Sequence, residues 1–177
     1  GPGSIVCTLD RSDPRAPGGG LSPGAFTYAG PIPVTSNLTV KARLITDGVW
    51  SALAEAAFYP PQDLSGLALT EVMYHPPDAE GVDGAEFEVL ALENTGAQSL
   101  DLTGLRFAEG ISYAFPDATT LAPGQFLVLA RNPVRFAERY PGVPCAGPYA
   151  GRLANEGESL TLTNALGARI LALDYGT

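Results

Sequence analysis

The sequence has little with which to meet a polyanion. One lysine, Lys41, accompanies nine arginines, and ten bases stand against nineteen acids for a formal net charge of −9. No basic cluster occurs anywhere. A nucleic-acid partner needs Lys and Arg gathered on one face to neutralise phosphates, so DNA or RNA binding is disfavoured. Histidine is nearly absent too: His75 alone would have to carry any imidazole chemistry. Cysteine occurs twice, at Cys7 and Cys145, at no metal-ligand spacing. No disulfide framework is visible, so two buried or half-buried thiols are the simpler reading, with a Cys7–Cys145 bridge as the alternative. No apolar run approaches the ~18 residues of a transmembrane helix. No secretory leader is visible, and the opening Gly1-Pro2-Gly3-Ser4 reads as a cloning scar or a native loop. A phosphate-cradling Gly loop, a nucleophile elbow and a zinc signature are all missing, which leaves an enzymatic reading without a motif and implies no cofactor.

What the chain does have is apolar residues and turns. Hydrophobic residues make up 45% and charged residues 16% of 177, so a sizeable core is expected. The 21 glycines and 16 prolines follow no collagen-like period, and point to short segments joined by many turns, an all-β chain. A boundary shows at residues 59–66, where Pro60-Pro61 and the polar residues after them read as a stiff linker. Charge changes there: residues 1–65 hold five acids against four bases, and residues 66–177 hold fourteen acids against six arginines.

In the first part, residues 1–58, Ile5 to Leu9 reads as a strand ending in the turn Asp10-Arg11-Ser12-Asp13-Pro14. Ala25 to Tyr28 and Gly30-Pro31-Ile32 read as an edge-type extended segment, because proline removes ladder donors. Leu38 to Leu44 alternates, with Leu38, Val40, Ala42 and Leu44 on one face, and Asp47-Gly48 turns the chain. Residues 55–58 are expected to form the last strand of this part.

The second part, residues 67–177, reads as a run of short strands at sandwich spacing. They are expected at Leu67–Tyr74, Glu86–Glu93, Ile111–Phe115, Phe126–Ala130, Ser159–Thr163 and Arg169–Tyr175, with Leu100, Leu102, Leu105 and Phe107 as a further apolar set. Phe126–Ala130 is apolar on both faces and is expected to be a central, doubly covered strand. Asn164 to Gly167 should close the last hairpin. One short helix is expected near 133–140: Asn132 caps, Pro133 suits the first position, and Phe136 and Tyr140 share a face.

Several side chains invite a chemical reading. Glu86 and Glu88, two apart on one expected strand face, resemble a paired-carboxylate site, against solvated acids on an edge strand. Asp10, Asp13 and Asp47 could offer oxygens to calcium, against self-capping of the turn by Asp13. The acidic loop Asp78 to Gly84 is a second cation candidate, against a solvated hairpin loop. Trp50, Tyr28, Tyr59 and Tyr149 could stack on sugars, against ordinary packing. His75 and the Asn155-Glu156-Gly157-Glu158 segment read as turns. No catalytic, cofactor or metal residue is assigned.

Ordered segments of the second part resemble the bacterial lamin-tail domain, an immunoglobulin-like sandwich. They are Leu69-Thr70-Glu71-Val72-Met73-Tyr74-His75-Pro76-Pro77, Glu86-Phe87-Glu88-Val89-Leu90-Ala91-Leu92-Glu93-Asn94-Thr95-Gly96, Leu100 to Phe107, Leu121 to Ala130, and Leu153 to Leu162. Ala91 stands where the family commonly has a second acid, and the resemblance implies a further segment past Tyr175. Residues 1–58 resemble part of the chitobiase C-terminal, fibronectin-III-associated sandwich module. That resemblance rests on Cys7 to Arg15, Tyr28-Ala29-Gly30-Pro31-Ile32 and Leu38 to Arg43. It places opening strands before Ile5, so this module is expected to be truncated. Together the resemblances imply two immunoglobulin-like β-sandwiches in tandem on a larger secreted or cell-surface bacterial protein. They would scaffold, adhere or space through sheet edges and loops, with other domains of the parent polypeptide or extracellular proteins as partners. The alternative is a carbohydrate-binding accessory module of a polysaccharide-degrading enzyme.

Overall fold

The computed structural model describes residues 2–79 and 81–176. Two compact units divide the chain, Gly1–Pro61 and Gln62–Thr177. Residues 62–66, read above as linker, are bonded into the second unit. Gln62 exchanges two hydrogen bonds with the Asp101 backbone, and Gly66 O accepts from Thr95. Leu64 packs on that unit's core, so only the prolines before Gln62 keep a linker's character.

The first unit is one antiparallel sheet of β1 (Ser4–Thr8), β2 (Phe26–Thr27), β3 (Leu38–Thr46), β4 (Val49–Trp50) and β5 (Ala54–Phe58). β3 is its axis, with β1 and then β2 on one side and β4 and β5 on the other. Asp47 and Gly48 both take positive φ, 49° and 81°, the geometry of a tight β3–β4 hairpin turn. The register puts Val6, Thr8, Arg43 and Trp50 on one face. The loop of residues 10–22 covers it: Arg43 grips Asp13 at 2.6–2.7 Å, and Trp50 Nε1 donates to Gly19 O at 2.8 Å. The opposite face is covered in part: Cys7 is buried there, and Tyr28, Ile32 and Val34 border a groove with Val40 and Ala42. On β1, β2 and β4 it carries Ile5, Cys7, Phe26 and Val49; on β3 and β5 it carries Leu38, Val40, Ala42, Leu44, Ala54, Ala56 and Phe58. The expected strand alternation is present, in one five-stranded sheet with loops against both faces.

In the second unit, β6 (Leu67–Met73), β7 (Val89–Asn94) and β12 (Phe126–Ala130) form a sheet with β7 in the centre. A second sheet runs β13 (Ala150–Gly151), β10 (Ile111–Ala114), β9 (Arg106–Glu109), β14 (Glu158–Thr163) and β15 (Arg169–Tyr175). β8 (Leu100–Asp101) pairs with β11 (Thr120–Leu121). Alternating side chains of both main sheets make the core: Leu90 and Leu92 from β7, Leu160 and Leu162 from β14, Phe107 from β9 and Ile111 from β10. The loop residues Leu102, Leu105, Phe115 and Leu153 close it. Helix α1 (Pro133–Arg139) is capped by Asn132, whose side chain accepts from Val134 N and Arg135 N, and its Phe136 packs on Val89 and Ala130.

Two expectations fail here. Phe126–Ala130 is an edge strand, not a central one: β12 pairs with β7 alone, and Phe126 is exposed. Its outer edge is met by residue 146, whose backbone bonds Val128 and Ala130. The doubly covered strand is β7, with the core on one face and α1 against Val89 on the other. The second failure concerns residues 86–88, expected as the start of a strand. Asp83 caps a 3-10 turn over Gly84–Phe87, so Glu86 and Glu88 do not share a strand face.

Candidate functional site

The polar centre of the second unit is Glu88. It leaves the 3-10 turn just ahead of β7, flanked by Phe87 and Val89, and this apolar run takes it inward to 1% exposure. Oε2 accepts from Leu153 N at 2.9 Å and from the Tyr149 hydroxyl at 3.2 Å. Oε1 lies 3.7 Å from Arg152 Nε, too far for a hydrogen bond, and has no hydrogen-bond partner among the described residues. Arg131 Nη1 is likewise buried and unpartnered. Burial pushes the Glu88 carboxyl above its ordinary range, against the pull of Leu153 N–H, the Tyr149 hydroxyl and the two arginines. Tyr149 is held protonated for the same reason, first by burial and then by the Glu88 charge.

Glu86 stands outside this cluster. It accepts from Asn132 Nδ2 at 2.7 Å and faces Arg131 Nη2 at 3.6 Å, tying the 3-10 turn to the start of α1. Neither pole of the paired-carboxylate reading survives. Glu86 is engaged, and Glu88 is buried, not solvated on an edge strand. The arrangement binds segment 149–153 to β7. Arg131, Arg152 and the Tyr149 hydroxyl were missed in the sequence, although an acid inside the run Phe87–Leu92 signals a buried charge in need of partners.

The other candidate positions are local. His75 is exposed in the loop after β6. Asp78 Oδ1 accepts from Gly84 N at 2.7 Å and Asp83 Oδ1 from Ala85 N at 2.8 Å, so both shape their own loop. Asp10 accepts from Ser12, and Asp13 from Arg15 N and Arg43. Asp47 lies in the β3–β4 turn. No cluster of three or more His, Cys, Asp or Glu is placed to hold a metal ion among the described residues. Cys7 and Cys145 are free thiols, both pushed up by burial. Trp50 and Tyr59 are half-buried, Tyr28 is exposed and Tyr149 is core. Glu158 accepts from Ala154 N and the Tyr175 hydroxyl, which gives the 155–158 turn its anchor.

The sheet pair, the Glu88 anchor and the Glu158–Tyr175 clasp all lie inside one matched region. A family model described as Lamin Tail Domain matches residues 60–177. The chain belongs to the lamin tail domain family. The immunoglobulin-like fold of that family is the fold of the second unit. No curated protein matches the chain. No helix among the described residues is long and apolar enough to cross a membrane.

The first unit offers a different kind of site. On this partly open face, Tyr28, Ile32, Val34, Glu55 and Phe58 wall a groove of about 350 Å³. Its floor is Val40, Ala42, Ala54 and Ala56. The strand side chains of this face are uncharged and almost wholly apolar. Such a surface suits another apolar surface, not a charged or heavily hydrated ligand.

Proposed function

We propose that the chain is a non-catalytic binding and scaffolding segment of a larger secreted bacterial protein, with the lamin-tail unit as a stable platform and the first unit as a contact surface. The observation that carries this reading is the open, mostly apolar groove on the β1–β5 sheet. Exposed apolar patches of a few hundred Å² mark interaction surfaces in soluble proteins. The buried Glu88 supports the platform role, because its Oε2 holds segment 149–153. The first unit is proposed to be part of a chitobiase C-terminal, fibronectin-III-associated module, on the resemblance of its β1, β3 and turn sequences. Association with other domains of the parent polypeptide or with extracellular proteins is proposed to run through sheet faces, sheet edges and loops.

The test presents the purified chain with a panel of polysaccharides and extracellular proteins and reads binding and bond cleavage together. The reading predicts saturable retention on one ligand with no product formed. Product released in proportion to added chain would contradict it.

A further inference from the structure

Segment 146–153 closes one side of the lamin-tail sandwich by pairing with both of its sheets. Ala146 N donates to Val128 O at 2.7 Å, and Ala130 N donates to Ala146 O at 3.0 Å, so this residue occupies the outer edge of β12. Further along, β13 pairs with β10 at the edge of the second sheet. Most of the segment lies on the surface: Gly147, Pro148, Ala150, Gly151 and Arg152 are exposed. Its buried residues are Tyr149 and Leu153, both in the core. Each donates to the same oxygen, Glu88 Oε2. One carboxylate therefore pins both inward turns of a strap whose other pairings are short.

The pin carries a titratable charge. Tyr149 and Arg152 face it from the strap, Arg131 from just after β12, and Tyr175 from β15. Glu86 faces Arg131, and Glu158 accepts from Ala154 N and the Tyr175 hydroxyl. His75, Asp78 and Asp83 line a polar cavity with Arg152. Burial raises both tyrosines and the arginines keep their charge, so between about pH 4 and 7 Glu88 is the group at the pin that changes charge. With the strap down, Oε1 has no hydrogen-bond partner among the described residues and neither oxygen meets water, which favours the neutral acid. Lifting Tyr149 and Leu153 lets water reach the carboxylate, which favours the ion. We infer that segment 146–153 is a pH-sensitive strap, held down while Glu88 is protonated and opening locally, ahead of the rest of the sandwich, as Glu88 ionises. Its opening frees Val128 O and Ala130 N, the edge of β12 that Ala146 occupies.

The experiment is native-state amide hydrogen exchange of the full chain between about pH 4 and 7, read residue by residue as protection relative to the unfolded rate at each pH. Protection of the Leu153, Ala146 and Ala130 amides should fall as pH rises, by up to about tenfold per unit between the open and closed titration points of Glu88. Amides of β9 and β14 should hold theirs. Glu88→Gln, which keeps an acceptor for Leu153 N–H but cannot ionise, should flatten the strap's profile. Constant protection of the strap amides across the range overturns the inference. So does a fall shared equally by β9 and β14, because the opening is then global. A pH dependence that survives in Glu88→Gln overturns it as well, by assigning the effect to a neighbouring group. The wild-type profile alone decides the first two outcomes, so the test stands even where the variant fails to fold.

Discussion

A carboxylate taken out of water destabilises the fold unless other groups replace its hydration. For Glu88 the replacement is partial: Oε2 has two donors, while Oε1 has only a guanidinium at 3.7 Å. The sign of the pH effect follows. Unfolded, Glu88 titrates near 4.5; folded, burial raises it. Between those two values the folded chain keeps a proton that the unfolded chain has released. Stability from this group is therefore full below the unfolded value and falls as pH rises through the folded one. Thermal melts of wild type and Glu88→Gln across about pH 4 to 7 should show the wild type losing ground to the variant as pH rises. Parallel curves would mean that Glu88 is not desolvated. Asp13 runs the other way. The Arg43 guanidinium holds its carboxyl down at about 2, so its contribution is present above 3.8 and lost as pH falls toward 2. Glu88→Ala, which leaves Tyr149 and Leu153 N–H without their acceptor, should cost about 2–4 kcal/mol in denaturant melts.

At the scale of elements, the turn before β7 is set by close backbone approach. A Cβ on Gly84 would stand 2.0 Å from Pro76 O, so the loop of residues 75–84 closes only around glycine. Gly84→Ala should cost about 2–3 kcal/mol, measured by urea unfolding. Asn132→Ala removes the cap of α1 and the bond to Glu86, and should cost about 1–2 kcal/mol by the same measurement. These elements also mark how far the sequence could be read. Strands β1, β3, β6, β10, β14 and β15 follow from alternation between turn residues, and α1 from Asn132, Pro133 and the Phe136–Tyr140 spacing. β7 and β12 exchanged roles because both are apolar on two faces. Periodicity reports burial, whereas sheet position depends on which strand finds two partners. The 3-10 turn escaped because Glu86-Phe87-Glu88 alternates like a strand, while Asp83 captures Ala85 N locally. The Glu88 cluster was half legible: the acid in an apolar run announces a buried charge, but Arg131, Tyr149 and Leu153 reach it only through the fold.

At the scale of the molecule, the two units differ in self-sufficiency. The lamin-tail unit closes a core of fully buried leucines, including Leu90, Leu92, Leu129, Leu160 and Leu162. A fragment of residues 62–177 should therefore unfold cooperatively by circular dichroism. The first unit, about sixty residues with one sheet, is at the size where a domain is marginal even with a complete core. How far each face of its sheet is covered is a property of packing that no strand pattern states. The account's central claim is that the lamin-tail unit is a stable platform that folds independently of the first unit. Differential scanning calorimetry of the full chain at several protein concentrations tests it most directly. The account predicts two transitions: an upper one, independent of concentration, from the lamin-tail unit, and a lower one from the first unit. A single transition at one temperature at every concentration would contradict it.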